Sequence, residues 1–223
     1  SALELFQGPT LAFKDVGARF MARSIGHLNK ESKEKITVLV ATSGDTGGAV
    51  ANGFLGVEGV NVVILYPRGK VSEIQEKQLT TLGQNITALE VDGVFDDCQE
   101  MVKNAFLDSG LSSVQLTSAN SINVARWLPQ MFYYFIAYRA LKQKNKKLVF
   151  SVPSGNFGNI CAGLMGQQMG LPINHFIACT NLNDSVPRYL KTGNYEPLPT
   201  KQTISNAMDV GNPSNFTRIQ TIF

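Results

Sequence analysis

The sequence predicts an α/β protein of two lobes, each built on a mainly parallel sheet flanked by helices. Short apolar runs rich in β-branched residues, at 37–42, 62–66, 86–91, 148–152 and 176–180, alternate with segments of helical apolar spacing. Such alternation requires crossover connections, which are right-handed and make the strands parallel. The length of 223 residues is long for one domain and comfortable for two.

The helices carry recognisable ends. Ser72 followed by Gln75 forms a capping box for a helix through Leu82, and Gly83 stops it. Residues 95–107 carry apolar side chains at helical spacing, with Gly110 just beyond. Ser121 is placed to cap a long helix through Trp127, Met131, Phe135 and Leu141. Another helix opens near Asn156 and runs to Met169, with Gly170 and Pro172 as stop signals. Residues 115–120 read as the crossing between lobes, which gives lobes of 1–117 and 118–223. Residues 1–9 begin in mid-pattern, and 212–223 carry no strong closing element, so the sequence is expected to be a stretch of a longer enzyme, incomplete at both termini.

Composition narrows the function classes. The formal net charge is +3, and the one dense basic run (Lys142, Lys144, Lys146, Lys147) precedes an apolar strand, where it reads as a solvated helix end. Binding to a phosphate backbone needs a wider basic face, so no nucleic-acid partner is expected. Cys98, Cys161 and Cys179, with only His27 and His175 beside them, have no metal-ligand spacing, and no metal is expected. All three cysteines fall in apolar patterns and read as buried reduced thiols, which fits a reducing compartment. No signal peptide opens the sequence and no run of about 18 apolar residues occurs, so the expected location is cytoplasmic, with no membrane partner.

Several stretches carry residue types suited to chemistry. Gly8-Pro9-Thr10-Leu11-Ala12-Phe13-Lys14-Asp15 runs directly into a helical pattern, which puts Lys14 at a loop-to-helix junction. Apolar neighbours and the positive end of a helix both disfavour an ammonium ion, the direction a reactive amine requires. The same residues also fit a solvated lysine beside Asp15. Ser43-Gly44-Asp45-Thr46-Gly47-Gly48 follows one apolar strand, and Ser154-Gly155-Asn156-Phe157-Gly158-Asn159 follows another. Strand, glycine-rich turn and helix is the arrangement in which free N–H groups converge on an anion. Tight turns with Asp45 or Thr46 as helix cap account for the first loop equally well. Asn120, Asn123 and Arg126 lie in a polar stretch, 118–126, that opens a helix; capping plus a surface arginine is the alternative there. Residues 206–213 read as a shaped loop from which no chemistry follows directly. No G-x-x-x-x-G-K-[ST] or G-x-G-x-x-G motif is present, although Arg68 and Lys70 could meet the extra phosphate of an NADP-type cofactor.

Together, residues 8–15, 41–50, 64–70, 117–126, 152–159 and 206–213 resemble, in order, the threonine synthases of bacterial and fungal type. These are fold-type II pyridoxal-phosphate enzymes, with an architecture like the tryptophan synthase β chain. The resemblance implies pyridoxal 5'-phosphate as cofactor and Lys14 as the Schiff-base lysine. It assigns the cofactor phosphate to Ser154, Gly155, Asn156, Phe157 and Gly158, with Asn159 behind them. Ser43, Gly44, Thr46 and Gly47 would lie near the substrate carboxylate, Asp45 near the cofactor, and Asn120, Asn123 and Arg126 on the same substrate cleft. The partner of the pyridine nitrogen would come from sequence beyond Phe223. The implied reaction converts O-phospho-L-homoserine and water to L-threonine and phosphate, with Lys14 as the proton carrier and no metal. The implied enzyme is cytoplasmic, monomeric when full length, and acts on a small molecule alone. Residues 1–223 by themselves are expected not to complete the reaction. The alternatives are another fold-type II lyase or dehydratase, an NADP-binding reductase, and a catalytically incomplete core.

Overall fold

A computed structural model describes residues 1–223, which form two compact units, Ser1–Arg126 and Trp127–Phe223. In the first, strands β1 (Ile36–Ala41), β2 (Val60–Pro67), β3 (Ile86–Val91) and β4 (Gln115–Ser118) make one sheet of order β3-β2-β1-β4. Every neighbouring pair is parallel. The central strand β1 is apolar on both faces because both faces are covered. Val38 and Val40 join Ala18, Met21, Val50, Phe54 and Ile64 in the larger core. These come in part from helices α1 (Lys14–Leu28) and α2 (Asp45–Phe54). Leu39 and Ala41, one residue out of phase, meet Cys98 and Val102 on the opposite face. Helix α3 (Glu73–Thr80) carries the expected Ser72–Gln75 capping box, and helix α4 (Phe95–Leu107) has the expected limits.

The chain steps outward from β1 to β2 to β3 and then returns through α4 to the other side of β1. This reversal makes the carboxyl ends of β1 and β4 a topological switch point, where open parallel sheets bind ligands. Residues 115–120, expected to cross between lobes, instead supply β4, which pairs with β1. Ala119 N–H continues this ladder to the Leu39 carbonyl at 3.3 Å. The unit boundary accordingly lies at Arg126/Trp127 rather than at 117/118.

The long helix expected from Ser121 to Leu141 is broken. A short helix α5 (Val124–Trp127) and a 3-10 turn (Leu128–Gln130) precede helix α6 (Met131–Leu141). Pro129 lies in that turn; it lacks an N–H, and its ring crowds the preceding helical turn. In the second unit, β5 (Leu148–Pro153) and β6 (Ile173–Cys179) pair in parallel across helix α7 (Gly158–Gln168). Helix α8 (Ser185–Thr192) follows, and the C-terminal residues, expected to lack a closing element, form helix α9 (Ser214–Ile222). Its Phe216 packs with Phe157, Ile160 and Val186 in the main core of this unit. Cys98 and Cys161 are buried, but Cys179 is exposed, because it falls on the open face of the alternating strand β6. No helix is long and apolar enough to cross a membrane.

Candidate active site

Lys14 is the first residue of α1, and the turn that delivers it is built by its neighbour Asp15. The Asp15 carboxylate accepts from Thr10 N–H (3.1 Å), Thr10 Oγ1 (2.6 Å) and Ala12 N–H (3.4 Å). A Cβ on Gly8 would strike that carboxylate, and Leu11 takes a left-handed φ of 58° to close the turn. Asp15 is therefore committed to shaping the junction and is buried. The Lys14 side chain is 13% exposed, with Nζ 3.6 Å from Asp45 Oδ2 and 5.4 Å from the centre of the Phe13 ring. Burial pulls its pKa below the usual lysine range, Asp45 pushes it back up, and the charge of Arg126 lowers it. A solvated lysine does not describe this amine.

The loop after β1 is tied by Thr42, whose Oγ1 accepts from Gly44 N–H (2.9 Å) and Gly47 N–H (2.8 Å). Gly44 adopts φ 135°, and neither Asp45 nor Thr46 caps α2 with its side chain. Asp45 instead opens the helix, with Oδ2 facing Lys14 and Oδ1 accepting from Gln75 Nε2 at 2.7 Å. The hydroxyls of Ser43 and Thr46 are left out of the bonds that hold this loop.

The loop after β4 uses its polar groups on itself. The Asn120 amide bonds both backbone groups of Ala41 (3.2 and 2.7 Å), extending the β1–β4 ladder through a side chain. Asn123 Nδ2 donates to the Ser118 carbonyl at 2.8 Å, and Asn123 Oδ1 accepts from Ala125 N–H at 3.0 Å. Arg126 is buried, not a surface arginine, and its Nη1 donates to the Ala119 carbonyl. Burial brings its pKa down to about 10, against the pull of Asp15. The structure thus gives Asn120, Asn123 and Arg126 the work of holding the switch-point loop.

In the second unit, Ser154 is anchored at the end of β5, its N–H on the Cys179 carbonyl (2.8 Å) and its Oγ on the Val152 carbonyl (2.9 Å). Asn156 Oδ1 accepts from Ser214 N–H at 2.6 Å, and its carbonyl accepts from Asn215 Nδ2 at 3.0 Å. Asn159 Nδ2 donates to the Pro153 carbonyl at 2.6 Å. Phe157, not a glycine, takes the left-handed conformation (φ 61°, ψ 8°) that starts α7, and its ring packs 5.9 Å from that of Phe216. None of these bonds engages the N–H groups of Gly155, Phe157, Gly158 and Asn159 at the start of α7. Gly155 is held small by a neighbouring segment. A Cβ there would sit 2.7 Å from Met208 Cα. The 206–213 loop thus has a defined task, which is to press against the glycine turn.

Residues 3–220 match the model of the pyridoxal-phosphate dependent enzyme family. The chain belongs to that family. It is 57% identical over 222 residues to threonine synthase of Buchnera aphidicola from Acyrthosiphon pisum, covering 99% of this chain and 52% of the relative. It is 54% identical over 223 residues to threonine synthase of Escherichia coli, with 99% and 52% covered. The crystal structure of that E. coli enzyme superposes with a TM-score of 0.93 at 53% identity, over all of this chain and 52% of that one. A pyridoxal-phosphate-bound threonine synthase from Brucella melitensis gives 0.89 at 44% identity, covering 98% and 47%. The chain spans about half the length of the curated relatives it matches. Maize serine racemase, at 20% identity and a TM-score of 0.68, shares the fold.

The residues fit the family's cofactor. A phosphate dianion is complemented by the uncommitted N–H groups at the start of α7, an eleven-residue helix whose positive end adds to them. An aldehyde carbonyl needs an unprotonated amine, and the burial of Lys14 favours that form. Reading the sequence missed Thr42 and Gln75 as parts of the site. A threonine directly before a glycine loop is a turn-forming signal, so Thr42 was within reach. Gln75 announces itself only as a helix cap, and nothing local tells of its reach to Asp45.

Proposed function

We propose that this chain carries the reactive lysine and the phosphate loop of a threonine synthase, which converts O-phospho-L-homoserine and water to L-threonine and phosphate. The observation that most supports the reading is the buried Lys14 amine, 3.6 Å from Asp45 at a switch-point loop, in a chain so similar to threonine synthases. Pyridoxal phosphate, when bound, supplies the electron sink for the chemistry at the substrate's carbon atoms. Lys14 would anchor the cofactor and, as a free amine, would take the proton from the substrate Cα and return protons further along the substrate. Ser43 and Thr46 bind the substrate carboxylate through their uncommitted hydroxyls, Gly44 and Gly47 let it approach the loop that Thr42 ties down, and Asp45 keeps the lysine's charge in balance. Gly155, Phe157, Gly158 and Asn159 hold the cofactor phosphate by their N–H groups, with Ser154 and Asn156 shaping the turn. Asn120, Asn123 and Arg126 position the wall of the substrate site and do not themselves grip the substrate.

The enzyme so described is cytoplasmic, monomeric when full length and independent of nucleic acid and membrane. An NADP-type phosphate at Arg68 is disfavoured, because that guanidinium already faces Glu90 at 3.1 Å and Asp92 at 4.0 Å. Borohydride reduction of the protein with pyridoxal phosphate, followed by peptide mapping, should place the cofactor on the Lys14 peptide. Release of phosphate with threonine from phosphohomoserine separates this reading from a dehydratase, and labelling of any other lysine would overturn it.

A further inference from the structure

The amine of Lys14 is faced by few charged groups: Asp45 from α2, Arg126 from α5, and Asp15 beside it, which is turned to Thr10 and Ala12. Asp45 is therefore the carboxylate that opposes the effect of burial on the amine. Yet Asp45 is itself 31% exposed and sits on the first turn of a helix, free to rotate toward water unless something holds it. Gln75 does this. Its Oε1 accepts from Ser72 N–H and Ser72 Oγ, both at 3.0 Å, which fixes the amide's orientation and leaves Nε2 aimed at Asp45 Oδ1, 2.7 Å away. A second observation puts the same amide in the site: a Cβ on Gly44, the glycine before Asp45, would collide with it.

We propose that Gln75 is a positioning residue that holds Asp45 against the Lys14 amine, so that the capped start of α3 is part of the lysine's machinery. This rests on Lys14 being the reactive lysine, and it assigns Gln75 a task beyond closing a helix end. Without the tether, Asp45 turns to solvent and its charge is screened, leaving burial and Arg126 to act on the amine unopposed. The unprotonated fraction of Lys14 at neutral pH then rises.

The test needs no cofactor. Cofactor-free protein is labelled with acetic anhydride across a pH series, and the rate at the Lys14 peptide is read by mass spectrometry against exposed lysines. Gln75→Met should speed Lys14 labelling at pH 7 by roughly tenfold, the low end of what an opposite charge at this distance does. It should also move the pH midpoint downward. Asp45→Asn should reproduce the effect, and Gln75→Met on top of Asp45→Asn should add nothing. Thr80→Ala, at the far end of α3 and outside the Gln75–Asp45 bond, should stay within about twofold of the parent if the effect is not merely one of helix stability. An unchanged rate in Gln75→Met overturns the proposal, as does an effect that persists beside Asp45→Asn or is matched by Thr80→Ala. Borohydride fixation of pyridoxal phosphate on the unmodified protein, run in parallel, reports separately on whether Lys14 is the cofactor lysine.

Discussion

Replacing Gly155 by alanine tests how the proposed phosphate loop is held. Gly155 has no positive φ, so the backbone accepts a side chain without strain, and the cost is contact alone. The new methyl would lie 2.7 Å from Met208 Cα and 3.1 Å from the Met208 carbonyl group. Carbon pairs sit best at about 3.5 Å or more, so the two segments must part by roughly 0.8 Å. The Met208 side cannot easily yield. Asp209, the next residue, is pinned by Thr203 N–H (2.8 Å), Thr203 Oγ1 (2.6 Å) and Asn181 Nδ2 (2.8 Å). Breaking one such bond costs about 1 kcal/mol or more, so the glycine turn moves, carrying its N–H groups out of register. Overpacking of this kind costs about 1–3 kcal/mol. At 1.4 kcal/mol per tenfold, pyridoxal phosphate affinity should weaken by roughly 5- to 140-fold.

Fluorescence titration with the cofactor measures this, beside Ser112→Val, an exposed site where affinity should not change. Cofactor affinity within twofold of the parent in Gly155→Ala would refute the reasoning. So would a loss of stability in urea with no loss of affinity, since the strain would then have been absorbed by the 206–209 segment.

Thr42→Val keeps the shape of a side chain that is 1% exposed but leaves the Gly44 and Gly47 amides without their acceptor. It should cost about 2 kcal/mol in urea denaturation and raise KM more than a substitution at Thr81, outside the loop. Arg126→Met removes the donor to the Ala119 carbonyl and the charge that balances Asp15, and should destabilise by on the order of 3 kcal/mol. Lys14→Met follows the sign of the lysine's titration. With a folded pKa below the ordinary 10.5, the unfolded chain binds more protons between the two values, so stability of the parent rises with pH across that window. Lys14→Met should therefore be the more stable protein at pH 7, by an advantage that shrinks as pH approaches 10.5 in urea titrations.

Strand existence and helix α4 were legible because they depend on local period: β3 and α4 lie where apolar spacing puts them. The limits of α5 and α6 were not, because helical periodicity continues through Pro129 while the backbone cannot. Residues 115–120 misled for a different reason. A four-residue edge strand that pairs only with β1 leaves no alternating pattern of its own, and its identity depends on a partner far away in sequence. Cys179 was misjudged because an apolar run does not reveal which of its faces is covered. At the site, Lys14 and both glycine loops stand out by residue type. The parts that make Lys14 unusual, Asp45 and Arg126, become visible only when the sheet brings 14, 45 and 126 together.

Two loops of ordinary residues become candidate binding surfaces through the way their polar groups are partnered. Every buried N–H and carbonyl must be paired, so a loop that bonds fully to itself has nothing left for a ligand. Here the structural bonds are handed to residues flanking the glycines. Thr42 takes two amides of the first loop, and Asn120 completes the strand end beside it. Ser154 and Asn156 anchor the second loop to β6 and to the start of α9. What remains uncommitted is a coherent set: two hydroxyls, Ser43 and Thr46, on one loop, and the N–H groups at the start of α7 on the other. A turn serving only to connect strand to helix would be expected to spend its side chains on capping, as Ser72 does for α3. The glycine loops do the reverse: neither α2 nor α7 receives a side-chain cap. The open helix starts of α2 and α7 follow strands whose carboxyl ends are where parallel sheets bind their ligands, and it is the coincidence of open amides and hydroxyls with that position that favours a binding role for both loops.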